Sequence, residues 1–169
     1  MIDVQRACFE LPVPLHDPDR TLARIGALIE RARAARVPIV YARQLGADGS
    51  RFAAGAPGRE LHPALAPRPD EIILDKREPD MFHGTALAAL LAERAVDEVV
   101  IGGFATEACV DTTVRSAFGR GLRVVLAAGA HTTTANAVLT AEQIVRHHEV
   151  VLARFARVIP SDDVAFAIG

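Results

Sequence analysis

Three side chains of types that carry nucleophilic or acid–base chemistry, Asp3, Lys76 and Cys109, stand where apolar runs end. Cys109 lies in GGFATEACVDTTVR (102–115), where a strand-like run hands over to a helical pattern. A free thiol titrates near 8.5 and is only a few per cent ionised at neutral pH. The first turn of a helix offers unpaired N–H groups and a partial positive charge, which favour the thiolate. The small residues Gly102, Gly103 and Ala105 let backbone N–H groups approach a substrate oxygen, so one turn can supply both nucleophile and oxyanion hole. The plain alternative is a small buried hydrophobe. Asp3 sits inside the apolar start MIDV, and a carboxylate at the end of a buried strand needs a partner or a task. An exposed strand end or a cap is the other reading. Lys76 follows IILD and, taken alone, reads as a solvated surface lysine. No local spacing brings the three together, so the fold has to.

The elements that would position them follow from periodicity. MIDV is a strand stub. Residues 21–36 carry Leu22, Ile25, Leu28, Ile29 and Ala32 at helical spacing, with Asp17 or Asp19 as a cap and Pro38 as the stop. PIVYA (38–42), EIILD (71–75), EVVIGG (98–103), RVVLAA (123–128) and RVIP (157–160) read as strands. Helical patterns occupy 84–95, the segment after Cys109 with Val110, Val114, Ala117 and Phe118, and about 136–154; a helical turn is expected after 160. Residues 43–70, rich in Gly, Pro and charge, read as a long loop of the kind that often serves function. Short continuous apolar strands alternating with helices imply a parallel sheet covered on both faces. In such sheets ligands sit beyond the strand carboxyl ends, where strand order reverses. Asp3, Lys76 and Cys109 all lie at or just after such ends.

Composition narrows the classes. With 169 residues, half of them apolar, and a formal net charge of −2, the chain fits one domain (1–169) and gives no bulk charge for nucleic acid or anionic membrane. No apolar run approaches the roughly 20 residues of a membrane span, and the start lacks a signal-peptide layout. Two cysteines without CxxC spacing argue against a disulfide scaffold, and a cytoplasmic protein is expected. GGFATE lacks the G-x-G-x-x-G spacing and no P-loop occurs, so no nucleotide cofactor is expected.

MIDVQ, KREPDMFHGTALAALL, GGFATEACVDTTVRSAFGRGLRVVLAAGAHTT and EQIVRHHEVVLARFARV, in that order, resemble the isochorismatase-like cysteine hydrolases. The resemblance implies a three-layer, Rossmann-like α/β/α fold with a six-stranded parallel sheet in the order 3-2-1-4-5-6. It implies a catalytic trio of Asp3 as general base, Lys76 as its cationic partner and Cys109 as nucleophile. It further implies an oxyanion hole from the N–H groups of Ala105 and Cys109, a cis peptide at Phe104–Ala105, and pocket walls from Gln5, Phe9, Phe82 and Phe104. The activity implied is hydrolysis of a small amide, carbamoyl or related C–N substrate through a thioester; a non-catalytic binding or assembly member of the same fold is the alternative. Homo-oligomers, dimers or larger, are implied, with the 43–70 loop a candidate for closing a neighbour's pocket.

The chain also departs from the family pattern. Only Met1 and Ile2 precede Asp3, which suggests a clipped central strand or a start upstream of Met1. The metal-binding Asp-x-His of nicotinamidases is absent from YARQLGADGS, and the adjacent His147 and His148 cannot share one helix face. No metal is expected, and nicotinamide is disfavoured as substrate. Gly129 stands where the family commonly has Asp, and His131 in GAHTT reads most simply as a turn residue paired to backbone.

Overall fold

The computed structural model describes residues 1–166. Five parallel strands form: β1 (Val40–Gln44), β2 (Ile72–Lys76), β3 (Glu98–Phe104), β4 (Arg123–Thr132) and β5 (Arg157–Pro160). Four α-helices connect them: α1 (Pro18–Ala34), α2 (Leu87–Glu93), α3 (Asp111–Gly119) and α4 (Ala141–Leu152). β1 pairs with β2, while β3, β4 and β5 pair in that order. The two groups meet at Ile2, which bridges in parallel to Ala42 on one side and Gly103 on the other.

The expected six-stranded sheet is therefore present as five strands and a two-sided bridge. The stub MIDV does not extend into a strand because Asp3 turns the backbone into the left-handed region, with φ of 50°. Aspartate tolerates that region better than most residues. The Ile2 main chain also crosses Gly103 very closely. A Cβ at position 103 would lie 2.0 Å from the Ile2 oxygen and 2.6 Å from its nitrogen, and Gly103 has φ of +129°. Only glycine fits there.

β4 shows why the apolar runs are continuous. Val125 and Ala127 face the core under α1, beside Ile25, Leu28, Ile29 and Tyr41. Val124 and Leu126 face the opposite core with Val110, Val114, Ala117 and Leu152. A strand with helices on both faces has no solvent side, so the run Val124–Ala128 is apolar throughout. The result is the α/β/α layering expected from the sequence.

Boundaries shift where backbone chemistry decides. α1 begins at Pro18, which suits a first-turn position, and neither expected aspartate caps it: Asp17 sits at the N-cap without a side-chain bond. α4 starts at Ala141, five residues later than its apolar pattern suggests, because Thr140 and Gln143 form a reciprocal capping box. The 43–70 segment contains two short 3-10 turns, and its Glu60–His62 stretch runs beside Val4–Arg6, with Arg6 N–H donating to Glu60 and His62 N–H to Val4. None of the described helices is long and apolar enough to cross a membrane.

Candidate active site

Each of the three candidate residues is delivered by the end of an element. Asp3 follows the Ile2 bridge, which fixes it between β1 and β3: its own N–H donates to Ala42 O, and the flanking Ile2 N–H to Gly102 O. Lys76 is the last residue of β2. Cys109 lies in a π-turn, Thr106–Val110, that runs straight into α3. Parallel strands end on the same side, so three remote segments converge there.

The convergence is tight. Lys76 Nζ, fully buried, lies 2.7 Å from Asp3 Oδ2 and 3.3 Å from Cys109 Sγ. Gln44 Oε1 at 2.8 Å and Glu78 O at 3.2 Å complete the shell, so three N–H donors are shared among four partners. Asp3 Oδ1 is buried and makes no hydrogen bond among the described residues. One carboxylate oxygen is thus occupied by the ammonium, and the other has a free lone pair beside the thiol.

The electrostatics differ from the expectation of a ready thiolate. Burial pushes the Cys109 thiol up to about 11, with the negative charge of Asp3 adding to the effect and Lys76 opposing it. The helix end and the lysine do not outweigh desolvation. A thiol held this high needs a base to ionise near neutral pH. Cys8, whose Sγ donates to Asp3 O at 3.3 Å, is pushed further, to about 12, again chiefly by burial.

Around Cys109 the backbone supplies a donor. The Phe104–Ala105 peptide is cis. Ala105 O accepts from Ala108 N–H and Val110 N–H, whereas the Ala105 N–H donates no bond among the described residues. A free donor at the start of this turn is what an oxyanion requires.

The four side chains assigned to pocket walls separate. The Gln5 carboxamide is fully buried and consumed: it donates to Gln44 O and Arg59 O and accepts from Gln44 N–H. It ties the end of β1 to the turn at Arg59 and has no donor left for a ligand. Phe104 is core, with Phe9 packed edge-on at 5.2 Å between ring centroids, and Phe9 alone is half-exposed. Phe82 lies under the Arg120 guanidinium, on the wall of an apolar hollow of about 790 Å³ that includes none of Asp3, Lys76 and Cys109.

Sequence reasoning missed Gln44, which holds both Lys76 and Gln5. The signal was available: a polar residue closing the buried run PIVYARQ, the same pattern that marked Asp3 and Lys76. His131 is no turn residue. It is buried on β4 with Nδ1 2.9 Å from Thr106 Oγ1. At Gly129, φ is +77° and the Arg24 guanidinium fills the space beside the Cα, so a side chain there would be strained in its backbone and would have to displace the arginine. Among the described residues no three His, Cys, Asp or Glu side chains gather as a metal site.

A parallel sheet between helical layers, with its reacting groups collected at the strand carboxyl ends, places the molecule among the doubly wound α/β proteins. Within that class, residues 1–163 match the family model described as the isochorismatase domain, and the chain belongs to the isochorismatase family. It is 39% identical over 133 residues to a streptothricin hydrolase of Streptomyces noursei, covering 79% of this chain and 53% of the relative. A ureidoacrylate amidohydrolase of Methylobacterium radiotolerans is 30% identical over 141 residues, covering 65% of this chain and 54% of the relative. The chain thus spans about half the length of these curated relatives. The crystal structure of an isochorismatase from Pseudomonas putida superposes with a TM-score of 0.92 at 33% identity, over 97% of this chain and 87% of that one.

Proposed function

We propose that the protein is a cysteine-dependent hydrolase of a small amide, carbamoyl or related C–N substrate. The observation that carries this reading is the single buried ammonium of Lys76 in contact with both a carboxylate and a thiol. A binding scaffold has no use for a costly buried cation arranged in this way. Relatives named for streptothricin, ureidoacrylate and maleamate hydrolysis support the amide class. Counting the Met1–Ile2 bridge as the central strand gives the order 3-2-1-4-5-6 and puts Asp3 and Cys109 at the reversal point.

The mechanism follows from the arrangement. Asp3 Oδ1 takes the thiol proton as Cys109 Sγ bonds to the substrate carbonyl carbon. The oxyanion forms against the N–H groups of Ala105 and Cys109. The C–N bond breaks, the departing nitrogen takes the proton from Asp3, and a thioester remains. Asp3 then removes a proton from water, the new C–O bond forms, and the C–S bond breaks with the proton returning to sulfur. Lys76 keeps its charge throughout; it steadies Asp3 as an anion and offsets negative charge on sulfur.

The test is ammonia release across amides, carbamoyl compounds and hydroxamates, with streptothricin, ureidoacrylate and maleamate included. Cys109→Ala serves as the blank and is expected to lose all turnover. Ammonia release surviving in that variant would refute the covalent route.

A further inference from the structure

The turn that carries Cys109 is pinned from outside by polar side chains that the mechanism leaves unused. Thr106, fully buried and one residue beyond Ala105, meets His131 Nδ1 through its hydroxyl at 2.9 Å. On the next residue, Glu107 Oε1 accepts the Thr133 hydroxyl at 2.9 Å. Both partners stand at the end of β4, two residues apart. Behind the imidazole, His131 Nε2 is buried without a hydrogen bond and lies 3.5 Å from Glu149 Oε1 on α4. A ring nitrogen facing a carboxylate keeps its proton, so Nε2 carries the hydrogen and Nδ1 accepts from Thr106.

We propose that His131 is a positioning residue for the oxyanion hole: through Thr106 it fixes where the Ala105 N–H points. The inference rests on the hydrolase reading above. Cys109 has its own anchors, in Lys76 and in the start of α3, so loosening the Thr106 end of the turn moves the donor more than the sulfur. Interior polar bonds of this kind hold one geometry because the alternative is an unpaired buried group. A donor misplaced by about 1 Å costs about 10–100-fold, short of the loss from removing it altogether.

Two reagents separate the effects without knowledge of the natural substrate. p-Nitrophenyl acetate acylates a thiol through a tetrahedral oxyanion: the S–C bond forms, the ester C–O bond breaks and p-nitrophenolate leaves. Iodoacetamide alkylates sulfur by displacement of iodide and forms no oxyanion. Labelling of Cys109 by each is followed by mass spectrometry in the full chain at one pH. Thr106→Val, which exchanges the hydroxyl for a methyl of the same shape, and His131→Phe are expected to slow acylation about 10–100-fold while changing alkylation less than about 3-fold. His131→Asn, whose amide oxygen can accept from Thr106, is expected to recover acylation to within about 5-fold of the parent. The Thr106→Val/His131→Phe double variant should be no slower than the slower single, because the two act through one bond. Acylation unchanged in a folded Thr106→Val protein overturns the inference, as does an equal fall in both rates. If the unaltered protein releases p-nitrophenolate no faster than Cys109→Ala, the hydrolase reading itself fails and takes this inference with it.

Discussion

Replacing Lys76 by methionine tests whether the ammonium holds the site together. Its side chain is fully buried and its contacts are Asp3 Oδ2 at 2.7 Å, Gln44 Oε1 at 2.8 Å, Glu78 O at 3.2 Å and Cys109 Sγ at 3.3 Å. Methionine keeps the length and removes every donor, leaving a carboxylate with one oxygen newly unpaired and the other already so. Removing one partner of a buried pair costs about 3–5 kcal/mol, most of it the stranded charge. For a chain of this size that is about 6–20 °C in Tm. Thermal denaturation of parent and variant at pH 7 should show this gap. The Asp3→Asn/Lys76→Met double variant, which removes the pair as a unit, should regain at least about 2 kcal/mol over Lys76→Met. A loss below about 1 kcal/mol at pH 7, or a double variant equal to the sum of the singles, would show that the pair is solvated and the electrostatic reasoning wrong.

The thiol makes a second prediction: with Cys109 pushed to about 11, its iodoacetamide rate should still be climbing between pH 9 and 10, where an ordinary thiol of pKa near 8.5 has levelled off. Cys8, at about 12, should label more slowly throughout, and a Cys109 plateau by pH 9 would contradict its burial. Gln5→Leu strands Gln44 O, Gln44 N–H and Arg59 O, and should cost about 2–4 kcal/mol by denaturant unfolding; a cost under about 1 kcal/mol would mean water replaces the amide. Glu71 is held down to about 2, first by the Arg33 guanidinium and further by Arg68 N–H and Tyr41 OH. Its contribution is complete above the unfolded pKa near 4.3 and is lost as pH falls toward 2. Glu71→Gln should therefore lower stability by about 2 kcal/mol at pH 7 with a gap that closes in acid, and a pH-independent gap would assign the effect to packing instead.

The layering was legible because strands buried on both faces leave no ambiguity: RVVLAA has no polar face to assign. Its far end was not legible. β4 runs on through His131 and Thr132, which are buried and bonded to partners far off in sequence, Thr132 donating to His16 O and His131 Nδ1 meeting Thr106. A pattern of hydropathy cannot show such partners. The shift of α4 was readable in principle, since TAEQ carries the capping box, but the apolar residues ahead of it extended the helical pattern backwards. Asp3, Lys76 and Cys109 were marked by one rule, reactive residues at strand ends, and that rule applied evenly would have named Gln44. Gln5 was misassigned because a buried carboxamide bridging two loops and a carboxamide lining a pocket look alike in one dimension. The thiol's state was out of reach of the sequence, since helix dipole and lysine are visible there and desolvation is not.

The close crossing of Ile2 over Gly103 has a consequence for anyone altering this protein. The buried carboxylate owes its address to a missing methyl group on another strand. Even alanine at 103 would shove the neighbouring main chain outward and carry Asp3 away from Lys76 with it. Redesign from beneath the carboxylate is therefore closed to any side chain at all.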